Sequence, residues 1–276
     1  PRRTANRPCM TPILCPLCRL TLERQPGTWR CAQGHAFDVA REGYVNLLLV
    51  QNKSSPEPGD SAKMVQARRE FLGADHYRPL REAVLALLAP LATRTLLDTG
   101  CGEGYYTSAF TALTPDVIGV DIAKPAIRLA AKRYRDITWL VASGAALPLA
   151  DGSMDVVCNM FTQIHLAEML RVLAPGGHVL VVTPAADHLQ SVRAELFDEV
   201  RAHEPEKFLA GFEAAFDALP ATEVRFPLQL GGQSLRQLLT MTPYVWKAKP
   251  GKRAALECRE SFATEAAFTL MLFRKR

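Results

Sequence analysis

The chain has 276 residues, 48% apolar and 22% charged, with a formal charge of +5; that length has room for roughly two domains at ~100–200 residues each. No apolar run approaches the ~18 residues of a membrane-spanning helix, and no apolar signal core follows the N-terminal arginines, so the composition argues against a membrane protein and points to the cytoplasm. Seven cysteines are an odd number for a disulfide framework and read better as metal ligands plus buried thiols.

Charge is uneven along the chain. Residues 1–53 carry eight Lys/Arg against three Asp/Glu, residues 54–246 carry 17 against 22, and residues 247–276 again eight against three. A polyanionic partner would be met by the ends, unless these are merely solvated surface charges.

Residues 1–10 read as a disordered tail, with Cys9 outside any ligand spacing and Met10 five residues before the first candidate ligand. Residues 11–50 form a small unit without the apolar mass for its own core. Cys15 and Cys18 in C-P-L-C, then Cys31 and His35 in C-A-Q-G-H, give the pattern C-x2-C-x12-C-x3-H. Two such turns can close a tetrahedral zinc site, and four protein ligands make it structural. Thr28-Trp29-Arg30 reads as a short strand into the second pair.

The polar, proline-containing stretch 51–60 is linker. Residues 61–72 then predict a helix capped by Asp60 or Ser61, and after Gly73 a second helix with Leu80, Val84, Leu87 and Leu88 on its apolar positions. Residues 51–92 are thus linker and connector helices, placed to lie over the mouth of the loop that follows.

That loop, D-T-G-C-G-E-G at 98–104, sits between the apolar run Thr95-Leu96-Leu97 and a helix expected over 105–113. Gly100, Gly102 and Gly104 permit a tight turn and close approach of backbone to a ligand. Asp98 ends the strand, and Asp121 ends the next apolar run, 117–120. Two acids so placed suit an adenosyl ligand with an amino-acid end: Asp121 for the ribose hydroxyls, Asp98 and the loop for the methionyl part, as in S-adenosylmethionine (SAM) enzymes. No Lys-Ser/Thr follows the last glycine, which argues against a nucleotide triphosphatase. An NAD enzyme shares the strand-loop-helix-strand-acid logic, but its G-x-G-x-x-G spacing differs.

From Thr95 the pattern alternates. Strands are expected at 95–98, 117–121, 137–141, 154–160 and 177–183, and helices at 105–113, 125–134, 165–173 and 188–202. This predicts an α/β, Rossmann-like domain over 93–276 with a parallel doubly wound sheet. A helical insertion at 204–222, a sixth strand at 223–230 and an antiparallel seventh at 267–273 would complete a seven-stranded methyltransferase sheet after a small N-terminal zinc-binding domain.

With these features in one chain, the sequence resembles the bacterial 23S ribosomal RNA (guanine-N1)-methyltransferase family. The likeness runs over nearly the whole chain: C-P-L-C, the C-x3-H pair, F-D-V-A-R-E-G-Y-V-N-L-L at 37–48, P-G-D-S-A at 58–62, A-R-R-E-F-L at 67–72, H-Y-R-P-L at 76–80, D-T-G-C-G-E-G-Y-Y-T at 98–107, A-A-K-R-Y at 130–134, L-A-P-G-G at 173–177 and H-L at 188–189. The resemblance implies that Cys15, Cys18, Cys31 and His35 hold zinc. It implies that Tyr77 contacts SAM from the connector, that Gly104 and Tyr105 make the loop-to-helix contact, and that His188 reaches the cofactor. It further implies a homodimer whose zinc units help to bind large-subunit ribosomal RNA.

The chain departs from the family at one place. Where the family has an I-Y-A-P-like segment after the fourth strand, this chain has Asn159-Met160-Phe161-Thr162-Gln163, on the acceptor side of the site. Guanine N1 must lose a proton to become a good nucleophile. Asp187 and Asn159 stand at the right end of the sheet to accept it, or serve as helix cap and strand-end hydrogen-bonder, so the catalytic residue is not identified. Phe161 or Tyr106 could stack on an extruded base, although core packing is the plainer role for Phe161. Cys101 and Cys158 read as inert thiols. Two other functions fit the residues: a methyltransferase for another RNA or a small molecule, and an RNA-binding protein with a SAM-binding but inactive Rossmann domain.

Overall fold

The computed structural model describes residues 11–52, 55, 58–204, 209 and 211–276. The tail at 1–10, with Cys9 and Met10, most of linker residues 53–57, and 205–208 and 210 of the insertion lie outside the described residues. Among the described residues no helix is long and apolar enough to cross a membrane.

The N-terminal unit is a small antiparallel sheet of β1 (Glu23–Gln25), β2 (Thr28–Arg30) and β3 (Ala36–Asp38), in that order. Three three-residue strands cannot enclose a core, and this unit takes its core from the next one. Ile13, Cys15, Leu22, Trp29 and Cys31 are buried in one apolar cluster with Ile118, Leu140 and Leu149. The chain then adds β4 (Val45–Asn46) to the main sheet, with Val45 opposite Leu140 in parallel register.

Helix α1 (Ala62–Gly73) is capped by Ser61, whose hydroxyl accepts the Met64 N–H at 3.3 Å. Helix α2 (Arg78–Leu88) buries Leu80, Val84 and Leu88, with Leu87 only half-buried. The sheet behind them runs through β5 (Thr95–Thr99), β6 (Asp116–Asp121), β7 (Thr138–Val141), β8 (Met154–Met160), β9 (Leu173–Pro184), β10 (Phe216–Ala218), β11 (Thr222–Gly231) and β12 (Ser261–Lys275). Strands β4, β7, β6, β5, β8 and β9 lie side by side in parallel; β12 pairs antiparallel with β9, and β11 and β10 pair antiparallel with β12. The expected seven-stranded sheet is therefore present as β7-β6-β5-β8-β9-β12-β11. It is extended by β4 from the zinc unit and by β10. The chain turns one way from β5 and the other way to β8, so the crevice for a ligand opens outside the carboxyl ends of these two strands.

Helices α3 (Lys124–Arg133), α4 (Leu166–Val172) and α5 (Gln190–Leu196) follow the expected order, and α6 (Gly232–Met241), α7 (Tyr244–Lys247) and α8 (Pro250–Glu257) fill the stretch before β12. Three segments differ from expectation. The helix over 105–113 is a 3-10 run, Thr107–Ala112. There the Ser108 and Thr111 hydroxyls donate to carbonyls three residues back, Tyr105 and Ser108, and Thr107 is drawn inward to Asp98. The helix over 188–202 stops at Leu196, because the buried Arg193 guanidinium gathers the Ala186, His188 and Arg201 carbonyls into an irregular turn. The described part of the insertion holds a 3-10 turn, Phe212–Ala214, and β10 rather than helix; Phe212 and Phe216 stack at 5.2 Å and bury themselves against Phe273.

Candidate active site

The four candidate metal ligands converge. Their ligand atoms all lie within 4.8 Å of one another. Cys15 Sγ and Cys31 Sγ stand 3.5 and 3.4 Å from His35 Nδ1, and Cys18 Sγ stands 3.6 Å from Cys31 Sγ. A zinc tetrahedron with bonds of about 2.3 Å to sulfur and 2.0 Å to nitrogen has S···S edges of about 3.8 Å and S···N edges of about 3.5 Å. The residues therefore fit zinc bound through His35 Nδ1. Tight turns build both ligand pairs: Arg19 N–H donates to the Cys15 carbonyl at 2.9 Å, and Gly34 N–H to the Cys31 carbonyl at 2.9 Å.

The second site is a cleft of about 220 Å³ at the switch point of the sheet. It is lined by the glycine loop, by Asp60 and Arg68 from the linker end and α1, by Tyr105, Tyr106, Asp121 and Ile122, and by Met160 to Thr162 after β8. The connector thus overlies the mouth as expected. Asp121 uses both carboxylate oxygens on backbone, accepting Gly102 N–H at 2.8 Å and Ala123 N–H at 2.7 Å. It ties the glycine loop to the end of β6. Asp98 is fully enclosed and accepts the Thr107 hydroxyl at 2.6 Å. Burial, opposed by that hydrogen bond and reinforced by the Asp121 charge, pushes its pKa up to about 7.

The three glycines have separate reasons. A Cβ on Gly102 would have only the Arg68 guanidinium within 4.0 Å, so this glycine presents bare backbone to the cleft. On Gly100 a Cβ would come within 2.5 Å of Thr162, and on Gly104 within 2.7 Å of Trp139. Gly100 admits the segment after β8, and Gly104 lets the loop pack on β7. Tyr105 lines the cleft with its hydroxyl donating to Asp75 at 3.1 Å and its ring under Arg81.

Tyr77 and His188 are brought together, but not onto the cleft lining. Their ring centroids are 6.5 Å apart in an aromatic cluster where Phe268 lies 5.1 Å from Tyr77 and 4.5 Å from His188. His188 Nδ1 accepts the Ala267 N–H at 3.1 Å, and burial pushes its pKa down to about 3, so the ring is neutral. Each candidate proton acceptor already has a polar partner, while Asp187 Oδ1 has none. Asp187 pairs with Arg225 at 2.7 Å, which holds its carboxyl below the usual range; the Asn159 amide donates to the Gln163 carbonyl at 3.1 Å. Cys101 and Cys158 are buried, and burial pushes both thiols well above their usual value.

Phe161 corrects the sequence reading. It is 45% exposed at the cleft and not part of the core. Sequence reasoning also missed Asp60 and Arg68, whose ion pair closes over the glycine loop. The P-G-D-S and A-R-R segments carried that signal without the geometry.

A switch-point cleft with this loop and acid pair, joined to a Cys3His knuckle, defines a SAM-dependent Rossmann methyltransferase carrying an N-terminal zinc ribbon. Comparison with known proteins agrees. A zinc-ribbon family model described as "RlmA, N-terminal" matches residues 13–56, and one described as "Methyltransferase domain" matches residues 97–181. The 23S rRNA (guanine(748)-N(1))-methyltransferase of Streptomyces fradiae is 35% identical over 258 residues, covering 88% of each chain. A putative 23S rRNA (guanine-N(1)-)-methyltransferase of Micromonospora griseorubida is 33% identical over 271 residues, covering 88% of this chain and 90% of that one. The YcgJ protein of Bacillus subtilis shares the fold, with a TM-score of 0.50 at 20% identity over 71% of this chain and 98% of that one. The chain belongs to the 23S rRNA (guanine-N1)-methyltransferase family. Its cofactor is SAM, and its ribbon is a structural zinc site.

Proposed function

We propose that this protein methylates N1 of a guanine in 23S ribosomal RNA. The observation that carries the reading is the zinc knuckle and the SAM cleft in one chain, aligned along 88% of its length with relatives named for that reaction. Bound SAM supplies an electrophilic methyl group on a sulfonium. The chain's own part is to hold and align. Asp121 faces the ribose hydroxyls, Gly100 and Gly102 bring backbone close, Gly104 and Tyr105 fix the turn into the helix, and Asp98 faces the cationic methionyl end. Tyr77 and His188 pack on Phe268 behind this wall.

RNA binding belongs to the same reading. A groove of about 970 Å³ runs between the zinc unit and α3, adjoins the cofactor cleft at Asp60 and Ile122, and is lined by Arg41, Lys124, Arg128, Lys132 and Arg135. Glu42 in the same groove pairs with Arg41 at 3.7 Å and Arg128 at 2.9 Å, so Lys124, Lys132 and Arg135 are the cations best placed to meet a phosphate backbone. We assign the protein to the cytoplasm, where ribosomal RNA is made. We assign it a homodimeric state on the family resemblance, with sedimentation at twice 30.4 kDa as the check.

Purified protein should transfer radiolabelled methyl from SAM to 23S rRNA transcript, with a steep loss of RNA affinity as salt is raised. Transfer to transfer RNA or to a small molecule in its place would refute the assignment.

Asp98 makes cofactor binding depend on pH. With its pKa near 7 in the empty site, the carboxyl is largely protonated at pH 6 and largely ionised at pH 8, and only the ionised form attracts the cationic ligand. Affinity should therefore rise with pH across this window, by up to about tenfold per unit below the pKa. Asp98→Asn should bind more weakly and lose this component. Titration calorimetry of both proteins from pH 5.5 to 7 reads the difference, since the ligand's own amino group, titrating at about 7.7–8.0, stays largely protonated there. Parallel profiles would show that Asp98 does not sense the ligand.

A further inference from the structure

Large exposed apolar side chains among the described residues include Leu17, Leu20, Val50, Leu219 and Phe161, and Phe161 is the aromatic member of that set. It stands directly after β8, on the lining of the cofactor cleft. Its backbone is left-handed, with φ at 59°. A residue with a bulky side chain rarely takes this conformation, which persists only where the surroundings over-determine it.

Those surroundings are visible. Phe161 N–H donates to the Val182 carbonyl at 3.1 Å. The Asn159 amide holds the Gln163 carbonyl at 3.1 Å, and Thr162 fills the space over Gly100. The segment is clamped on both sides of Phe161, and the outcome is an aromatic ring held out of the core. Glycine would remove the backbone strain and a polar residue the exposure; the chain has neither. Beside this ring, 6.4 Å between centroids, is Tyr106, whose hydroxyl is sealed from solvent and lacks a hydrogen-bond partner. The result is an aromatic ring clamped in place, exposed, and set on the lining of the cofactor cleft.

We propose that Phe161 is the platform on which the extruded target base stacks while its ring nitrogen faces the cofactor. This rests on the guanine reading above. A base in folded RNA must leave its own stack to reach the cleft, and a flat aromatic face replaces part of what it loses. A phenyl ring carries no hydrogen-bonding edge, so Phe161 positions the base without choosing it.

The test compares wild type with Phe161→Ala, Phe161→Leu, Phe161→Trp and Phe161→Gly, using 23S rRNA transcript and radiolabelled SAM. Phe161→Ala is expected to lower kcat/KM by about 5- to 150-fold, the range for losing one base–aromatic stack. SAM affinity by calorimetry should stay within about twofold, because stacking acts on the base. Phe161→Trp should keep most of the rate; Phe161→Leu should not, having bulk but no planar face. Phe161→Gly should be as slow as Phe161→Ala yet melt no lower than wild type, since glycine relieves the left-handed backbone. A purely structural residue would instead lower melting temperature and SAM affinity together. Wild-type kcat/KM in Phe161→Ala or Phe161→Leu, or a matching loss of SAM affinity, would overturn the stacking role while leaving the methylation reading intact. If wild-type protein itself transfers no methyl group to the transcript, the methylation reading falls and the platform with it.

Discussion

Replacing Cys31 with Ser is expected to release the zinc and lower the melting temperature of the whole chain by roughly 6–12 °C. The size follows from how the metal is used. Structural zinc sites are worth about 10–16 kcal/mol in isolated modules; even a fraction of that, about 3 kcal/mol, moves a chain of this size by the stated amount at roughly 2–4 °C per kcal/mol. The effect spreads because the ribbon has no core of its own. Ile13, Leu22 and Trp29 pack with Leu140 and Leu149, and β4 closes the edge of the main sheet on β7. Unfastening the knuckle would strip that edge and expose apolar surface of the methyltransferase sheet. Atomic absorption should find one zinc per wild-type chain and none in the variant, and calorimetry reads the shift. Equal melting temperatures with and without chelator would show that the ribbon stands without metal.

The second large effect is at Asp121. Asp121→Ala is expected to weaken SAM binding by at least about 100-fold, or about 2.7 kcal/mol, with a loss of about 1–3 kcal/mol in stability from the two backbone N–H groups left without an acceptor. Both consequences come from one carboxylate, which holds Gly102 at 2.8 Å and Ala123 at 2.7 Å and lines the cleft. Asp121→Asn keeps one acceptor oxygen and should fall between. Titration calorimetry checks the affinity and thermal melting the stability; an affinity within a few-fold of wild type would take Asp121 out of the cofactor site.

What could be read from the sequence was local. The C-x2-C and C-x3-H spacings each fit a single tight turn, so the ligand set was visible before the fold. Asp98 and Asp121 were visible because each ends an apolar strand beside a glycine loop. Features set by distant contacts could not be read this way. Strand β4 is two residues long and carries no periodicity; it exists because β7 offers an open edge. The 3-10 run after the glycine loop depends on Ser and Thr hydroxyls bonding back to the chain. Phe161 looked like a core residue because its left-handed backbone depends on Val182 and Gly100, both far away in sequence, together with the local Asn159–Gln163 bond. Tyr77 and His188 matched the family by motif, whereas only the folded chain shows them packed on Phe268 behind the cleft.

The central claim is tested most directly by mass spectrometry of nucleosides from 23S ribosomal RNA of a strain lacking this protein, before and after purified protein and SAM are added back. 1-Methylguanosine should fall by one residue per 23S molecule and return on addition. An unchanged level in the deletion strain, with no gain on addition, would contradict it.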